Sequence, residues 1–194
     1  MKRLKCLFSL MLFGILFGCS TIEIYSDYDP WANFSGLKTF SWIPGPQKET
    51  GDPRIDNPLL DAHIRNAVED QLALNGFEKK GTEKPDFWIG YHAAIDRKLG
   101  AQTINHFYAY PPGWAWEHYR TPYVPPGMAI TETEIFYYDE GTLILDVVDP
   151  ETRKLIWRGS AQAEVKYATN PEKRNERIKE AVRRILERFP PKKP

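Results

Sequence analysis

The chain has 194 residues, and its 26 lysine and arginine side chains balance its 26 aspartate and glutamate side chains to a formal net charge of zero. Nucleic-acid-binding proteins usually show a surplus of basic residues, so this balance argues against a nucleic-acid partner. The length suits a single domain behind an N-terminal leader.

The first 18 residues are a predicted signal peptide. Positive charges at Lys2, Arg3 and Lys5 precede an apolar run from Leu7 to Phe17. This run is short for a membrane-spanning helix, which needs roughly 20 apolar residues. It is typical of the middle region of a secretory signal.

The end of this run resembles the lipobox of bacterial lipoproteins, with Leu16, Phe17, Gly18 and Cys19 in order. The resemblance implies cleavage between Gly18 and Cys19. It also implies a thioether-linked diacylglycerol on Cys19 and acylation of the new amine, and these chains would anchor the protein in a membrane. Two or more acyl chains anchor a protein stably, whereas one chain alone is marginal.

The expected location follows from this lipid anchor. An aspartate directly after the lipidated cysteine would resemble an inner-membrane retention signal, but this position is Ser20. We therefore expect the protein at the outer membrane, on its periplasmic face. Residues 19–26 would form the lipid-anchored tether. The alternative is an ordinary signal peptide with Cys19 near its end, and Phe17 is larger than the residue that a lipobox usually carries there.

The cysteine count restricts the chemistry of the mature chain. Only Cys6 and Cys19 are present, and Cys6 lies in the predicted signal peptide. The mature chain would therefore have one cysteine, with no internal disulfide and no cysteine for a metal site or a nucleophile.

One domain is predicted over residues 27–190, followed by a short tail at 191–194. Its first elements are a strand in LKTFSWI and a helix in NPLLDAHIRNAVEDQLALNGF. Asn57 and Pro58 suit the start of this helix, and Gly76 suits its end. A nearly all-apolar face at helical spacing runs along it, formed by Leu60, Ile64, Ala67, Val68, Gln71 and Leu72.

The sequence DFWIGYHAAI predicts the next strand. Phe87, Ile89 and Tyr91 alternate with Trp88 and His92, which is the period of two expected when one face of a strand is buried.

A segment rich in proline and aromatic residues follows, from about residue 103 to residue 133. It keeps neither a helical nor a strand period for long, so we interpret it as a long loop. Its rings could complete the core or cover a sheet edge, bind a protein or peptide, or contact a glycan or the membrane interface. The candidate binding residues are Tyr110, Trp114, Trp116 and Tyr119.

The strands GTLILDVVD and KLIWRGSAQAEVK predict an antiparallel hairpin around the turn at residues 149–152. In the second strand, one face is formed by Leu155, Trp157, Gly159, Ala161, Ala163 and Val165. The small residues of this face would let a helix approach the sheet closely.

A second helix is predicted in TNPEKRNERIKEAVRRILERFPP. Thr169 or Asn170 would cap it, Pro171 lies in its first turn, and Pro190 would stop it. The predicted order is β-α-β-loop-β-β-α. Two helices with one apolar stripe each should cover one face of an antiparallel sheet, which is an α+β two-layer sandwich.

Several segments together resemble a family of Gram-negative lipoproteins known as domain of unknown function 4136, namely YDPWANFSGLKTFSWIP, PDFWIGYH and GTLILDVVDPETRKLIWRGSAQAEV. The residues that carry the match are Tyr28, Asp29, Phe34, Lys38, Thr39, Trp42, Asp146, Asp149, Leu155, Trp157, Arg158 and Gly159. The resemblance covers almost the whole mature chain. It implies a lipoprotein with an α+β domain and supplies no activity. The segment around residues 103–133 departs from the family pattern, so a function there would be particular to this chain.

Motifs for metal binding and nucleophilic catalysis are missing from the sequence. His63, His92, His106 and His118 lack the short spacings that hold zinc on one element, although His106 and His118 could meet beside Glu117. No nucleophile motif or phosphate-binding loop is present either. We therefore expect no metal and no cofactor.

Three carboxylates remain as candidates for a hydrolase: Asp139, Asp146 and Asp149. The favoured interpretation of Asp146 is an ion pair with Arg158 across the hairpin. We therefore expect that the protein is not an enzyme.

The leading functional hypothesis is a lipid-anchored, non-enzymatic protein that binds or helps to assemble another component of the cell envelope through the aromatic loop. The alternative is a lipoprotein that binds a small ligand or a glycan, which a pocket between the loop and the sheet would favour. A hydrolase would need two of the three carboxylates to face each other in a cleft.

Overall fold

The computed structural model describes residues 22–45, 49–81, 84–107, 129–167 and 170–192, without the side chains of 104–107 and 129–132. The elements in chain order are β1 (Glu23–Tyr28), β2 (Thr39–Trp42), α1 (Pro58–Leu74), β3 (Glu78–Lys79), β4 (Phe87–Phe107), β5 (Ala129–Val148), β6 (Leu155–Glu164) and α2 (Pro171–Leu186).

The six strands form one sheet in the order β1-β6-β5-β4-β2-β3, and two helices pack against it. This confirms the predicted α+β two-layer fold. The sheet is mixed rather than wholly antiparallel, because β2 runs parallel to β3 and β4. The reason is α1, which lies between β2 and its parallel neighbours as the crossover that such a pairing requires.

Two strands have no counterpart in the predicted order. β1 begins at Glu23, inside the predicted tether, and pairs with β6 along its whole length. Only Ile24 of β1 is half-buried and the other five residues are exposed, so the alternation of this strand is weak. β3 has only two residues, Glu78 and Lys79.

Both ends of α1 match the sequence prediction. The Asn57 side chain accepts a hydrogen bond from the Leu59 amide at 2.9 Å. At the other end, Gly76 adopts a φ of 90°. The amides of Gly76 and Phe77 donate to the carbonyls of Ala73 and Leu72, which is the Schellman arrangement that favours glycine.

The start of α2 is capped by Asn170, whose side chain accepts from the Glu172 amide at 2.8 Å. The helix ends at Leu186, before the predicted stop at Pro190. The charged face of α2 is exposed, while Val182, Ile185 and Leu186 are buried.

The helices cover one face of the sheet, called here the helix side. Across β4, β5 and β6 its residues lie in four rows, Ile89–Val147–Trp157, Tyr91–Leu145–Gly159, Ala93–Leu143–Ala161 and Ile95–Gly141–Ala163. Side-chain volume falls sharply from the first row to the last.

The large end of this layer, called here the aromatic end, is formed by Phe34, Phe40, Phe77, Phe87, Trp157 and Phe189. Phe189 follows α2 and contacts four of these rings, with centroid distances between 5.1 and 6.3 Å. The small end, called here the alanine end, is formed by Ala93, Gly141, Ala161 and Ala163.

The predicted alternation in β6 holds from Trp157 to Ala163 but is wrong at Leu155. Leu155 is exposed and Ile156 is buried. The physical reason is an irregularity in the pairing of β5 with β6 at Val147 and Val148, which changes the face of the residues before it.

β4 and β5 also extend beyond the other strands as a two-stranded hairpin, called here the arm (residues 97–107 and 129–139). They remain paired out to Phe107 and Ala129. The ends of the segment interpreted as a loop, 103–107 and 129–133, are therefore strands, and that interpretation is wrong for them. Residues 108–128 lie outside the described residues.

Candidate functional site

The residues that the sequence analysis selected for lipidation and binding all fall outside the described residues. These are Gly18 and Cys19 at the predicted cleavage site, and Tyr110, Trp114, Trp116 and Tyr119 in the aromatic segment. Their roles stay predictions.

The arm presents apolar side chains to solvent on its helix side. Leu99 and Tyr137 face each other across the two strands, and Ile135 lies one row further out. Their exposed fractions are 60%, 68% and 64%. Large apolar side chains that cluster at such exposure commonly mark an interaction surface.

The opposite side of the arm is apolar as well. The ring of Phe136 lies over Gly100, so close that a Cβ at that glycine would be 2.6 Å from the ring. Phe136 and Tyr138 have ring centroids 6.2 Å apart. The arm therefore has aromatic side chains on both faces.

Both outer edges of the arm lack a partner strand among the described residues. β2 pairs with β4 only as far as Ile89. β6 pairs with β5 as far as Glu140, and one further bond joins the Val165 amide to the Asp139 carbonyl. Within the part of the chain that the structure describes, the backbone groups beyond these points have no strand partner, and an edge of this kind can pair with an added strand.

The three candidate carboxylates lie in three different places. Asp146 is on the sheet face away from the helices, where Arg158 donates to it from Nε at 2.7 Å and from Nη2 at 2.8 Å. The predicted ion pair with Arg158 is thus confirmed, and this hydrogen bonding raises the pKa of Arg158.

Asp149 shapes the β5–β6 turn, where it accepts from the amides of Glu151 and Thr152, and these bonds lower the pKa of its carboxyl. Asp139 is on the helix side and binds Arg54 and Tyr167. The required cleft with two facing carboxylates is therefore not formed by these three residues. The expectation that the protein is not an enzyme stays a prediction.

The histidines are equally dispersed where the structure describes them. His92 Nε2 lies 3.5 Å from Asp146 Oδ2, while His63 is half-buried on α1. Over the described ranges no three histidine, cysteine, aspartate or glutamate side chains are grouped to hold a metal ion. The side chains of His106 and His118 are outside these ranges.

A cavity of about 660 Å³ lies between the helices and the sheet at the alanine end. Its floor is formed by the two rows of small residues, and its roof by Leu60 and Ile64 of α1 and Ile178 and Ala181 of α2. Ligand pockets in proteins commonly have volumes of about 300–1,000 Å³ and mainly apolar walls.

The rim of this cavity is cationic. Four basic side chains line it, Arg54, Lys166, Arg174 and Arg177, together with one carboxylate, that of Glu164. Arg54 is neutralised by ion pairs with Asp52 at 2.6 Å and Asp139 at 3.1 Å. The other three basic side chains form no ion pair within the part of the chain that the structure describes.

A polar network joins the segments beside the rim. Arg54 donates to Asp139 and to the Tyr167 hydroxyl at 3.0 Å, and Tyr167 donates to Asp139. Hydrogen bonding by Arg54 lowers the pKa of Asp52. The network fixes the loop before α1 to the arm and to the segment after β6.

This cavity is not predicted by the sequence. The alternative hypothesis placed a pocket between the aromatic segment and the sheet, whereas the cavity lies under the helices. The available signal was the run Gly159, Ala161 and Ala163, which predicted a close helix. The predicted close approach of a helix is confirmed at Gly159, where Ile185 of α2 lies against the glycine. At the other two positions the small side chains leave space.

The family profile described as domain of unknown function (DUF4136) matches residues 24–191. The chain belongs to this family. Among curated proteins, none matches this DUF4136 chain. None of the described helices is long and apolar enough to span a membrane.

A solved structure with a similar fold is a PDZ domain protein from Parabacteroides distasonis, with a TM-score of 0.52 and 13% identity. The match covers 97% of this chain but only 39% of that protein, so the chain spans well under half of its length. At this identity the likeness shows the fold alone.

Two structures of the PelC dodecamer from Paraburkholderia phytofirmans also match, with TM-scores of 0.43 and 0.44 and identities of 7% and 8%. Each match covers 86% of this chain and 95% of the PelC chain. These scores are too low to support a functional argument.

Proposed function

We propose that this DUF4136 protein is a lipoprotein anchored through Cys19 on the periplasmic face of the outer membrane, and that its arm binds another protein of the cell envelope. The observation that carries the binding role is the arm itself. It combines exposed apolar side chains on two faces with two unpaired strand edges in the described residues.

These two features favour a protein partner. Backbone groups on a free strand edge bind an added strand, and exposed side chains on alternate positions give such an interaction its specificity. Leu99 and Tyr137 offer a large apolar contact, and tyrosine is a frequent anchor at protein interfaces. The proline- and aromatic-rich segment between β4 and β5 would add to the same surface.

The proposed anchor rests on the lipobox resemblance and on the position of Cys19. The first strand starts at Glu23, so only three residues separate the predicted lipid from the folded domain. Such a short tether would hold the domain close to the membrane surface.

The test places a photo-crosslinking amino acid at Tyr137 of the full-length protein in living cells. After irradiation, adducts are identified by mass spectrometry. We expect one discrete protein adduct. The matched control carries the same probe at Tyr25, which is 55% exposed but lies on the sheet face away from the helices.

Identical adducts from the two positions, or none from Tyr137, would refute the binding role of the arm. A Cys19→Ala variant tests the anchor separately, since cells fed labelled palmitate should attach the label to the parent protein and not to this variant. If the parent takes up no label, or the variant takes up as much as the parent, the lipid anchor is wrong.

A further inference from the structure

We propose that the cavity at the alanine end binds a long-chain fatty acid, with its acyl chain between the helices and the sheet and its carboxylate at the cationic rim. The proposed function does not use this cavity. The inference rests on the size of the cavity, the chemistry of its walls, the charge of its rim and its position in the chain.

The walls have the chemistry that an acyl chain requires. Ala93, Leu143, Ala161 and Ala163 of the floor are apolar, and Ile178 closes the space from above. Apolar contact of this kind is non-directional, so it suits a flexible hydrocarbon chain better than a polar ligand, which would need matching donors and acceptors.

The volume favours one chain over two. At about 30 Å³ for each water-sized group, a cavity of about 660 Å³ holds about 20 such groups. A long-chain fatty acid has about that many heavy atoms, whereas a two-chain phospholipid has more than twice as many. The occupant should therefore be a single-chain molecule.

The rim favours an anionic head group. Lys166, Arg174 and Arg177 line the cavity and form no ion pair among the described residues. The single carboxylate beside them, that of Glu164, leaves the rim with a net positive charge. The guanidinium of Arg177 is held near the cavity by a bond from Nη1 to the Lys166 carbonyl at 3.3 Å. Guanidinium groups bind carboxylates through paired hydrogen bonds, so the two arginines provide the matching site.

The position of the cavity supplies an independent argument. Ile22 lines it, and Cys19 precedes Ile22 by three residues. An extended chain spans at most about 3.6 Å per residue, so the predicted lipid on Cys19 lies within about 11 Å of the cavity wall. This argument alone rests on the proposed anchor, and it would place the cavity beside the membrane that contains such ligands.

The test uses the full-length lipoprotein in phosphatidylcholine vesicles. The probe is palmitic acid with a diazirine near the end of its chain. Irradiation should attach the probe to residues of the cavity wall, such as Leu143 and Ile178, and unlabelled palmitic acid should compete. A probe of equal chain length that ends in an alcohol should label the same residues about tenfold less, because it lacks the charge that the arginines bind.

Two matched pairs of variants locate the site. Arg174→Glu with Arg177→Glu should reduce labelling by about tenfold or more. Lys173→Glu with Lys179→Glu makes the same change of charge on exposed residues of the same helix outside the cavity, and it should leave labelling within about twofold of the parent. Ala163→Phe should abolish labelling by filling the cavity, whereas Ala73→Phe on the exposed face of α1 should not.

Three results would overturn the inference: labelling spread over the surface, equal labelling by acid and alcohol probes, or equal effects of the two charge variants. Thermal unfolding of each variant verifies that it is folded, and the charge variants provide the answer if Ala163→Phe does not fold. None of these residues lies on the arm, so failure here leaves the binding role of the arm untouched, and failure of that role leaves this inference untouched.

Discussion

The aromatic end and the alanine end of the same core differ in how completely they are filled. Both lie between the same two helices and the same sheet. At the aromatic end, Phe189 and its neighbouring rings close the space, whereas at the alanine end Ala161 and Ala163 leave a cavity of about 660 Å³. Protein interiors are normally packed as densely as organic crystals, and larger side chains at the alanine end would stabilise the fold.

This difference indicates a division of labour within one core. The aromatic end contributes stability, and the alanine end preserves a space that stability alone does not require. The rim agrees with this view, because Arg174, which forms no ion pair among the described residues, lies beside the cavity, while the aromatic end is closed by rings.

The largest expected effect comes from Phe189→Ala. Phe189 is almost fully buried and contacts the rings of Phe34, Phe77, Phe87 and Trp157. Its removal should lower the free energy of unfolding by about 3–5 kcal/mol, the usual cost of truncating a buried phenylalanine. Urea denaturation followed by circular dichroism measures this, and a loss below about 1 kcal/mol would contradict the role given to the aromatic end.

A smaller loss is expected from Gly159→Ala. The indole of Trp157 lies over Gly159, and a Cβ there would also be 2.5 Å from Ile185 Cγ2. The added methyl group must displace a ring or a helix side chain, so the free energy of unfolding should fall by about 1–3 kcal/mol. The same denaturation experiment measures the change.

Ala163→Phe is the matched contrast for this prediction, since it adds a larger group on the same face of the same strand. Because the side chain at position 163 points at the cavity, this substitution should lower the free energy of unfolding by less than about 1 kcal/mol. If Gly159→Ala were tolerated better than Ala163→Phe, the two ends would not differ in packing as described.

The smallest effect concerns the pH dependence of stability. Asp86 accepts hydrogen bonds from the Thr39 hydroxyl at 2.8 Å and from the amides of Lys38 and Thr39, and these bonds lower the pKa of its carboxyl. A carboxyl with a lowered pKa in the folded state stabilises the protein above its unfolded pKa near 3.8, and this contribution is lost as the pH falls.

Asp86→Asn should therefore reduce the melting temperature at neutral pH and flatten its decline below about pH 4. The change should be modest, because solvent screens an exposed carboxylate. Asp70→Asn, on the exposed side of α1, is the control. A decline in acid as steep as that of the parent would rule out a contribution from Asp86.

Local chemistry explains which parts of the fold the sequence could predict. The caps at Asn57, Gly76 and Asn170 depend on residues within one turn, and the pair Asp146–Arg158 depends only on the register of a hairpin. Such features are determined over short distances. The parallel pairing of β2 and the existence of the two-residue β3 depend on tertiary contacts. β1 was not predicted because the alternation of buried and exposed residues in this strand is weak.

The cavity and the arm depend on longer distances. The cavity exists because small residues from three strands align in rows and two helices pass above them, which no single segment reveals. The outer part of the arm, residues 103–107 and 129–133, falls in the predicted loop because prolines and aromatic residues dominate the segment between them. The β-branched residues of ITETEI, directly before the exposed rings of β5, were the available signal of a strand.

The direction of β1 constrains how the protein would meet a membrane. β1 starts at Glu23, opposite Gln162 near the C-terminal end of β6. The arm of β4 and β5 begins beyond that same end of β6, at Asp139, so β1 starts at the end of the sheet from which the arm extends. The arm spans about 35 Å at about 3.3 Å per residue, whereas the three-residue step from Cys19 to Ile22 reaches about 11 Å at most. If Cys19 carries the proposed lipid, so short a connection holds the base of the arm close to the membrane surface. The partner of the arm should therefore be sought at the membrane surface or within the membrane.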